Sequence, residues 1–188
     1  MANVKEILKN AVVLFLITAV VSALLAGANL LTKDKIAENT RIEQDTAKKE
    51  VMKEADEFID LNYSKGNVAA VYQAKSGDSE CGWCVSVTPN GYGGEIDLMV
   101  GISPDFKVTG IKVVSNSETA GLGAKCTEES FSGQFAEKAT PVKVIKNGTA
   151  ADNEIVAITG ATITSQAVTD GVNEAVRAIK EIGGGQNE

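Results

Sequence analysis

The segment ITGATITSQAV, residues 158–168, gathers four hydroxyls, on Thr159, Thr162, Thr164 and Ser165, around Gly160 and Ala161. A strand-like run ends at Ile158 and a helical pattern starts within the segment, so Thr162 falls where an N-cap is expected. Two chemistries fit this arrangement. The hydroxyls can simply cap the helix, which spacing alone favours. Alternatively, the orphan N–H groups and positive dipole end of the helix, joined by uncharged donors, can hold an anion such as a phosphate.

A second segment, SNSETAGLGAKC at 115–126, follows another strand-like run with Glu118 and Thr119, then sets Gly121 and Gly123 on either side of Leu122. Glycines this close permit positive φ and close approach by a flat ligand. By itself such a loop is more often a plain turn. A third, CGWC at 81–84, has the spacing of a redox pair. The VSVTP that follows reads as strand, whereas a thioredoxin-like site needs a helix there. Even with Cys126, three thiols cannot complete four ligands for zinc or an iron–sulfur cluster. A local disulfide or none is the first reading, then a metal shared with a partner chain, then redox exchange. With three Cys, at least one thiol is free or pairs between chains.

Several classes are excluded. The chain has no His, which removes Ser-His-Asp and Cys-His nucleophiles, a His-ligated haem and a His-containing zinc site. A net charge of -7 argues against nucleic acid as a partner, because phosphate contacts need clustered Lys and Arg.

The elements that must position these residues can be read from hydropathy. Residues 11–31 carry no charge and at 1.5 Å per residue span roughly 31 Å as a helix, the thickness of a hydrocarbon core. Ala26-Gly27-Ala28 has the look of a signal-peptidase site, but the apolar core of a signal peptide is only about 7–15 residues, so length favours an anchor. Lys5 and Lys9 before the span and Lys33, Lys35 and Arg41 after it leave orientation undecided by the positive-inside count. The short N-terminus favours a soluble part outside the cytoplasm.

From Lys35 to Asn62 a patchy stripe of Ile36, Thr40, Ile42, Val51, Ala55 and Phe58 among many charges predicts a helical stalk. Val- and Ile-rich runs at 68–75, 83–89, 96–103 and 107–116 predict antiparallel strands. A short helix at 128–138, strands at 142–146 and 154–158, and a last helix at 163–182 complete the pattern. Val168, Val172, Ala175, Val176, Ile179 and Ile182 form the apolar face of that helix, and Gly183-Gly184-Gly185 a stop. The expected class is α+β, with a mostly antiparallel sheet, flanking helices and one N-terminal transmembrane helix. Three regions follow: an anchor at 1–34, a stalk at 35–62 and a soluble domain at 63–188.

Taken together, TGATITSQAV, SETAGLGAKC and GYGGEIDLMVGIS (91–103) resemble the flavinylation motif, the Glu-Thr-Pro-Gly-Leu-Gly loop and the Gly-Tyr-Gly-Gly strand entry of FMN-binding domains. With the N-terminal anchor, almost the whole chain is similar to the G subunits of Rnf electron-transport complexes. The C subunits of sodium-pumping quinone reductases are near relatives of these and give the nearer rival reading. An anchored, non-redox domain binding a phosphorylated ligand is the more distant one.

The resemblance implies covalent FMN, esterified through its phosphate to Thr162. Thr159, Gly160, Ala161, Thr164 and Ser165 would surround the phosphate, and Glu118, Thr119, Gly121, Leu122 and Gly123 would lie against the ring. It implies a separate flavin transferase acting outside the cytoplasm, and the other membrane and peripheral Rnf subunits as partners. The complex would pass electrons between ferredoxin and NAD and couple this to ion transport, with this chain a relay lacking a substrate-converting site. Two positions depart from the family pattern: Ala120 stands for the usual Pro, and Val156 for the usual Asp.

Overall fold

The computed structural model describes residues 4–184. The chain divides into two compact units, Met1–Ile42 and Glu43–Glu188. The first contains helix α1 (Val4–Val51) as far as Ile42, and its apolar side chains from Val4 to Ile42 are exposed; the last turns of α1 belong to the second unit. An 18-residue window in this helix has a mean hydropathy of 2.6, so α1 is long and apolar enough to cross a membrane.

The second unit centres on one antiparallel meander in the order β1 (Glu57–Asp60), β2 (Val68–Ser76), β3 (Ser79–Val87), β4 (Ile96–Ile102) and β5 (Val108–Asn116). Strands β2 to β5 fall where period-2 patterning predicts strands. The first is a departure: residues 57–60 lie in the segment expected to be a helical stalk. The helix stops at Val51, whose carbonyl accepts the Thr109 hydroxyl at 2.6 Å, and the chain then pairs Phe58 and Ile59 with Ala74 and Gln73. Short alternating runs within charged sequence satisfy either period, and the open edge of β2 decides between them.

Register aligns Val85 with Val100, Val87 with Leu98, and Val100 with Ile111, so branched apolar side chains share one face of the sheet. Helix α3 (Thr162–Gly184) lies on that face through Val168, Val172, Ala175, Val176 and Ile179, all buried as its 3.6-residue periodicity predicts. Each fully buried Val or Ile here contributes about 1.5–3 kcal/mol relative to exposure. Ile182 is half-buried at the margin. The glycine stop is later than expected, since Gly183 and Gly184 belong to α3 and Gly185 lies outside the described residues.

The opposite sheet face packs Ala74, Cys84 and Met99 against Ala47, Val51 and Met52. Between β5 and α3, a 3₁₀ helix (Gly123–Thr127) comes first, and the expected helix at 128–138 is reduced to α2 (Glu129–Ser132) and a 3₁₀ turn (Gly133–Phe135). Burying both Phe131 and Phe135, which meet edge-on at 5.5 Å, takes precedence over one regular helix. Strands β6 (Lys143–Ile145) and β7 (Glu154–Val156) form a separate parallel pair, and β7 leads directly into the 157–161 turn and α3.

Candidate flavin site

Because Ile96 at the start of β4 pairs with Asn116 at the end of β5, the turn entering β4 and the loop leaving β5 are neighbours. The N-terminus of α3 meets both. Together they form a cavity of about 480 Å³, walled by Tyr92 from the turn, Glu118, Thr119, Leu122 and Gly123 from the loop and Gly160 to Thr164 from the helix start; Gly121, expected at the ring, turns the loop without lining it.

Thr162 is the first residue of α3 rather than its cap. Ser165 N–H donates to the Ala161 carbonyl at 3.0 Å, which puts Ala161 at the cap position. Thr162 is therefore one position inside the helix, exposed, and its hydroxyl makes no hydrogen bond among the described residues. The neighbouring hydroxyls are committed elsewhere. Ser165 Oγ is buried, accepts the Ile158 N–H at 3.0 Å and donates to the Ala161 carbonyl at 2.9 Å. Thr164 Oγ1 is buried and donates to Glu118 Oε2 at 3.0 Å. Thr159 lines a separate groove of about 260 Å³ with Lys125 and Gln134. Gly160 turns the chain with φ of +79°, where a side chain would be strained.

Glu118 joins the three walls. Its Oε1 accepts the Tyr92 N–H at 2.7 Å and the Gly93 N–H at 3.2 Å, while Oε2 accepts Thr164. The Thr119 carbonyl closes the loop by accepting Leu122 N–H at 3.1 Å and Ala124 N–H at 3.2 Å. Of the two loop glycines, Gly121 takes the positive φ, at +79°, and Gly123 provides the close approach, packed against the Glu118 carboxylate.

Among the described residues beyond α1, the exposed large apolar side chains are Tyr92 (74%), Leu122 (46%) and Ile163 (58%), and all three edge this cavity. Tyr92 and Ile163 are not among the residues expected from sequence. Ile163 carries a usable signal: it lies roughly 180° around the helix from Val172, outside the buried stripe. Tyr92 sits in the 91–94 turn, where no periodicity exists to mark its side.

The walls hold one carboxylate and no Lys or Arg. Positive potential at the Thr162 end comes instead from the N-terminus of the 23-residue α3, equivalent to about half an elementary charge. Such a site fits a flat, apolar ring system joined to a single negative charge.

Val156 ends β7, and the Gln134 side chain binds its backbone, accepting the N–H at 2.7 Å and donating to the carbonyl at 3.3 Å. The three cysteines are free thiols, and no group of His, Cys, Asp and Glu among the described residues can hold a metal ion. A register shift beside Gly82 puts Cys81 and Cys84 against the same outer cluster. Burial pushes the Cys84 thiol up to about 12. Burial, helped by the Glu118 charge, pushes Cys126 up to about 11. Protonated and buried, both lack the thiolate that reactivity needs.

Residues 91–177 match the family described as the FMN-binding domain, and residues 1–51 the RnfG N-terminal region. Among curated proteins, the chain is similar to the G subunit of the proton-translocating ferredoxin:NAD(+) oxidoreductase complex of Clostridium ljungdahlii, 37% identical and covering 90% of both chains. It is 34% identical to the G subunit of the Na(+)-translocating complex of Acetobacterium woodii, covering 95% of this chain and 94% of that one. The G subunit of the ion-translocating oxidoreductase complex of Methanosarcina acetivorans is 37% identical, with 94% and 96% covered. Among solved structures, the C subunit of the Na(+)-translocating NADH-quinone reductase from Parabacteroides distasonis shares the fold, with a TM-score of 0.55, 19% identity and 68% and 77% coverage. NqrC of Shewanella oneidensis gives a TM-score of 0.51 at 18% identity, covering 65% of this chain and 66% of that one. Matched along nearly its whole length, the chain belongs to the family of G subunits of ion-translocating ferredoxin:NAD(+) oxidoreductase complexes, the Rnf family.

Proposed function

We propose that this chain is the membrane-anchored, FMN-carrying member of an Rnf-type complex and that Thr162 holds the flavin covalently. One observation carries the second part. Thr162 alone of the four hydroxyl residues is exposed on the cavity, at a helix N-terminus, with its hydroxyl uncommitted. A cavity of about 480 Å³ is of cofactor size, within the roughly 300–1,000 Å³ usual for ligand sites. Leu122, Ile163 and Tyr92 supply apolar surface for the ring, and the α3 N-terminus favours the negative charge that a phosphodiester retains.

The flavin supplies the redox chemistry. The chain's own residues hold and orient it, and its electrons pass to and from neighbouring centres of the complex, which takes electrons between ferredoxin and NAD and moves ions. Attachment requires a donor with a leaving group, because a phosphomonoester would have to expel hydroxide. A flavin dinucleotide meets this need. Thr162 Oγ1 forms the new P–O bond, the pyrophosphate bond breaks, a nucleoside monophosphate departs and the hydroxyl proton is lost. Both oxygens of Glu118, the one carboxylate in the cavity wall, are already engaged. The base for that proton therefore belongs to a separate flavin transferase.

On this reading residues 1–34 anchor the chain and the helical segment that follows forms the stalk, while the FMN-binding domain, expected from residue 63 to 188, also takes in β1 (Glu57–Asp60). The domain lies on the extracytoplasmic side, the side on which the transferase acts.

The test is mass spectrometry of denatured protein co-expressed with a flavin transferase. One FMN less one water should be added to the parent chain, retained in part by Thr162→Ser and absent from Thr162→Val. Undiminished covalent flavin on Thr162→Val would defeat the assignment. A protein that carries no denaturation-resistant flavin at all would favour a non-redox anchored domain.

A further inference from the structure

We propose that Glu118 is a positioning residue that sets the attitude of the acceptor Thr162 by locking the three cavity walls together; this rests on the reading of Thr162 as acceptor. The carboxylate is enclosed by backbone. A Cβ at Gly91 would overlap Oε1, one at Gly123 would overlap Oε2 and stand 2.7 Å from Thr164 Oγ1, and one at Gly93 would lie 3.1 Å from Glu118 Cα. Two glycines, Gly91 and Gly123, one in each segment, thus give way to one side chain, while Gly93 makes room for the Ser117 carbonyl and the Glu118 backbone. Its own approach is fixed too, as Glu118 N–H donates to Asn116 Oδ1 at 3.1 Å.

The hydrogen bonds run from Tyr92 and Gly93 N–H through Glu118 to Thr164 Oγ1, 46 residues away in sequence. Thr164 is two residues beyond Thr162 on the first turn of α3. A tilt of that turn moves the acceptor hydroxyl directly. Glu118 consequently acts on attachment without reaching the reacting atoms: the new bond joins Thr162 Oγ1 to phosphorus, the pyrophosphate bond of the flavin dinucleotide breaks, and Glu118 takes no proton.

The experiment measures covalent flavin loading of full-length chain in detergent at saturating transferase and flavin dinucleotide. Glu118→Ala should load about tenfold more slowly at saturation. Glu118→Gln keeps an oxygen for the Tyr92 and Gly93 amides and an amide group opposite Thr164, so it should load within about threefold of the parent. Thr164→Val should slow loading, and the double variant should be no slower than Glu118→Ala, because both act through one path. In apo protein, Tyr92 and Gly93 amides should exchange faster in Glu118→Ala and normally in Glu118→Gln.

Val172→Ala, a destabilising change in the core under α3, controls for stability and should load normally. Unchanged saturating rate for Glu118→Ala, equal loss in Glu118→Gln, or slow loading of Val172→Ala would each overturn the proposal. Failure of the acceptor reading is separate, since it appears as full loading of Thr162→Val.

Discussion

The Ser165 hydroxyl holds the Ile158 N–H at 3.0 Å and returns its own proton to the Ala161 carbonyl at 2.9 Å, clamping the turn that carries Thr162. A residue expected to serve a bound phosphate instead serves the chain itself. Ser165→Ala leaves the part-buried Ile158 N–H without a partner, which costs about 1–3 kcal/mol. Urea denaturation should show this as a lowered midpoint. An unchanged midpoint would mean that the clamp contributes nothing to stability.

Leu122 tests the placement of the ring. A charged residue here, such as Leu122→Lys, should shift the flavin spectrum or potential while leaving covalent attachment intact, because the Leu122 side chain is half-exposed and makes no hydrogen bond to the turn that carries Thr162. Spectrum and potential unchanged across several Leu122 replacements would remove the 118–123 loop from the ring's surroundings.

Alkaline stability follows from the buried thiols. Folded Cys126 ionises near 11 and Cys84 near 12, both above the ordinary 9.0. A raised thiol favours the protonated form in the fold, so its stabilisation is complete below 9.0, lost progressively above it and gone beyond the folded value. The parent should lose stability as pH rises from 9.0 towards 11, and a Cys84→Ala, Cys126→Ala variant should lose less over that range. Parallel pH profiles of the two proteins would refute the linkage.

Topology is read by labelling Gly183→Cys with an impermeant thiol reagent, in a background lacking Cys81, Cys84 and Cys126. Gly183 is exposed near the end of α3. Label taken up by intact cells is the expected result. Label appearing only after lysis would place the domain in the cytoplasm and remove the proposed route of attachment.

Val156→Asp asks whether the departure from the family pattern matters. Gln134 already satisfies both backbone groups of Val156 and fixes the entry to the acceptor turn. Loading time courses with one transferase should therefore agree for parent and variant. A rise of about tenfold, or 1.4 kcal/mol in barrier, would show that the usual Asp has a role that Gln134 does not fill.

The strands β2 to β5, the buried stripe of α3 and the apolar run at 11–31 were legible because each rests on local period and length alone. The residues that meet at the cavity were legible for a similar reason, as TGAT and the 118–123 loop are contiguous motifs. The roles within the site were not. That Ser165 and Thr164 turn inward, that Thr159 opens on another groove, and that Thr162 stays free depends on one turn ending at Gly160 and on a glutamate 46 residues from Thr164. Tyr92 reaches the cavity wall because β4 and β5 are partners, a pairing that follows from the register of the whole sheet. The β1 strand likewise depended on β2 having an open edge to offer. Hydrogen-bond partners distant in sequence are chosen by packing, and local composition carries no record of that choice.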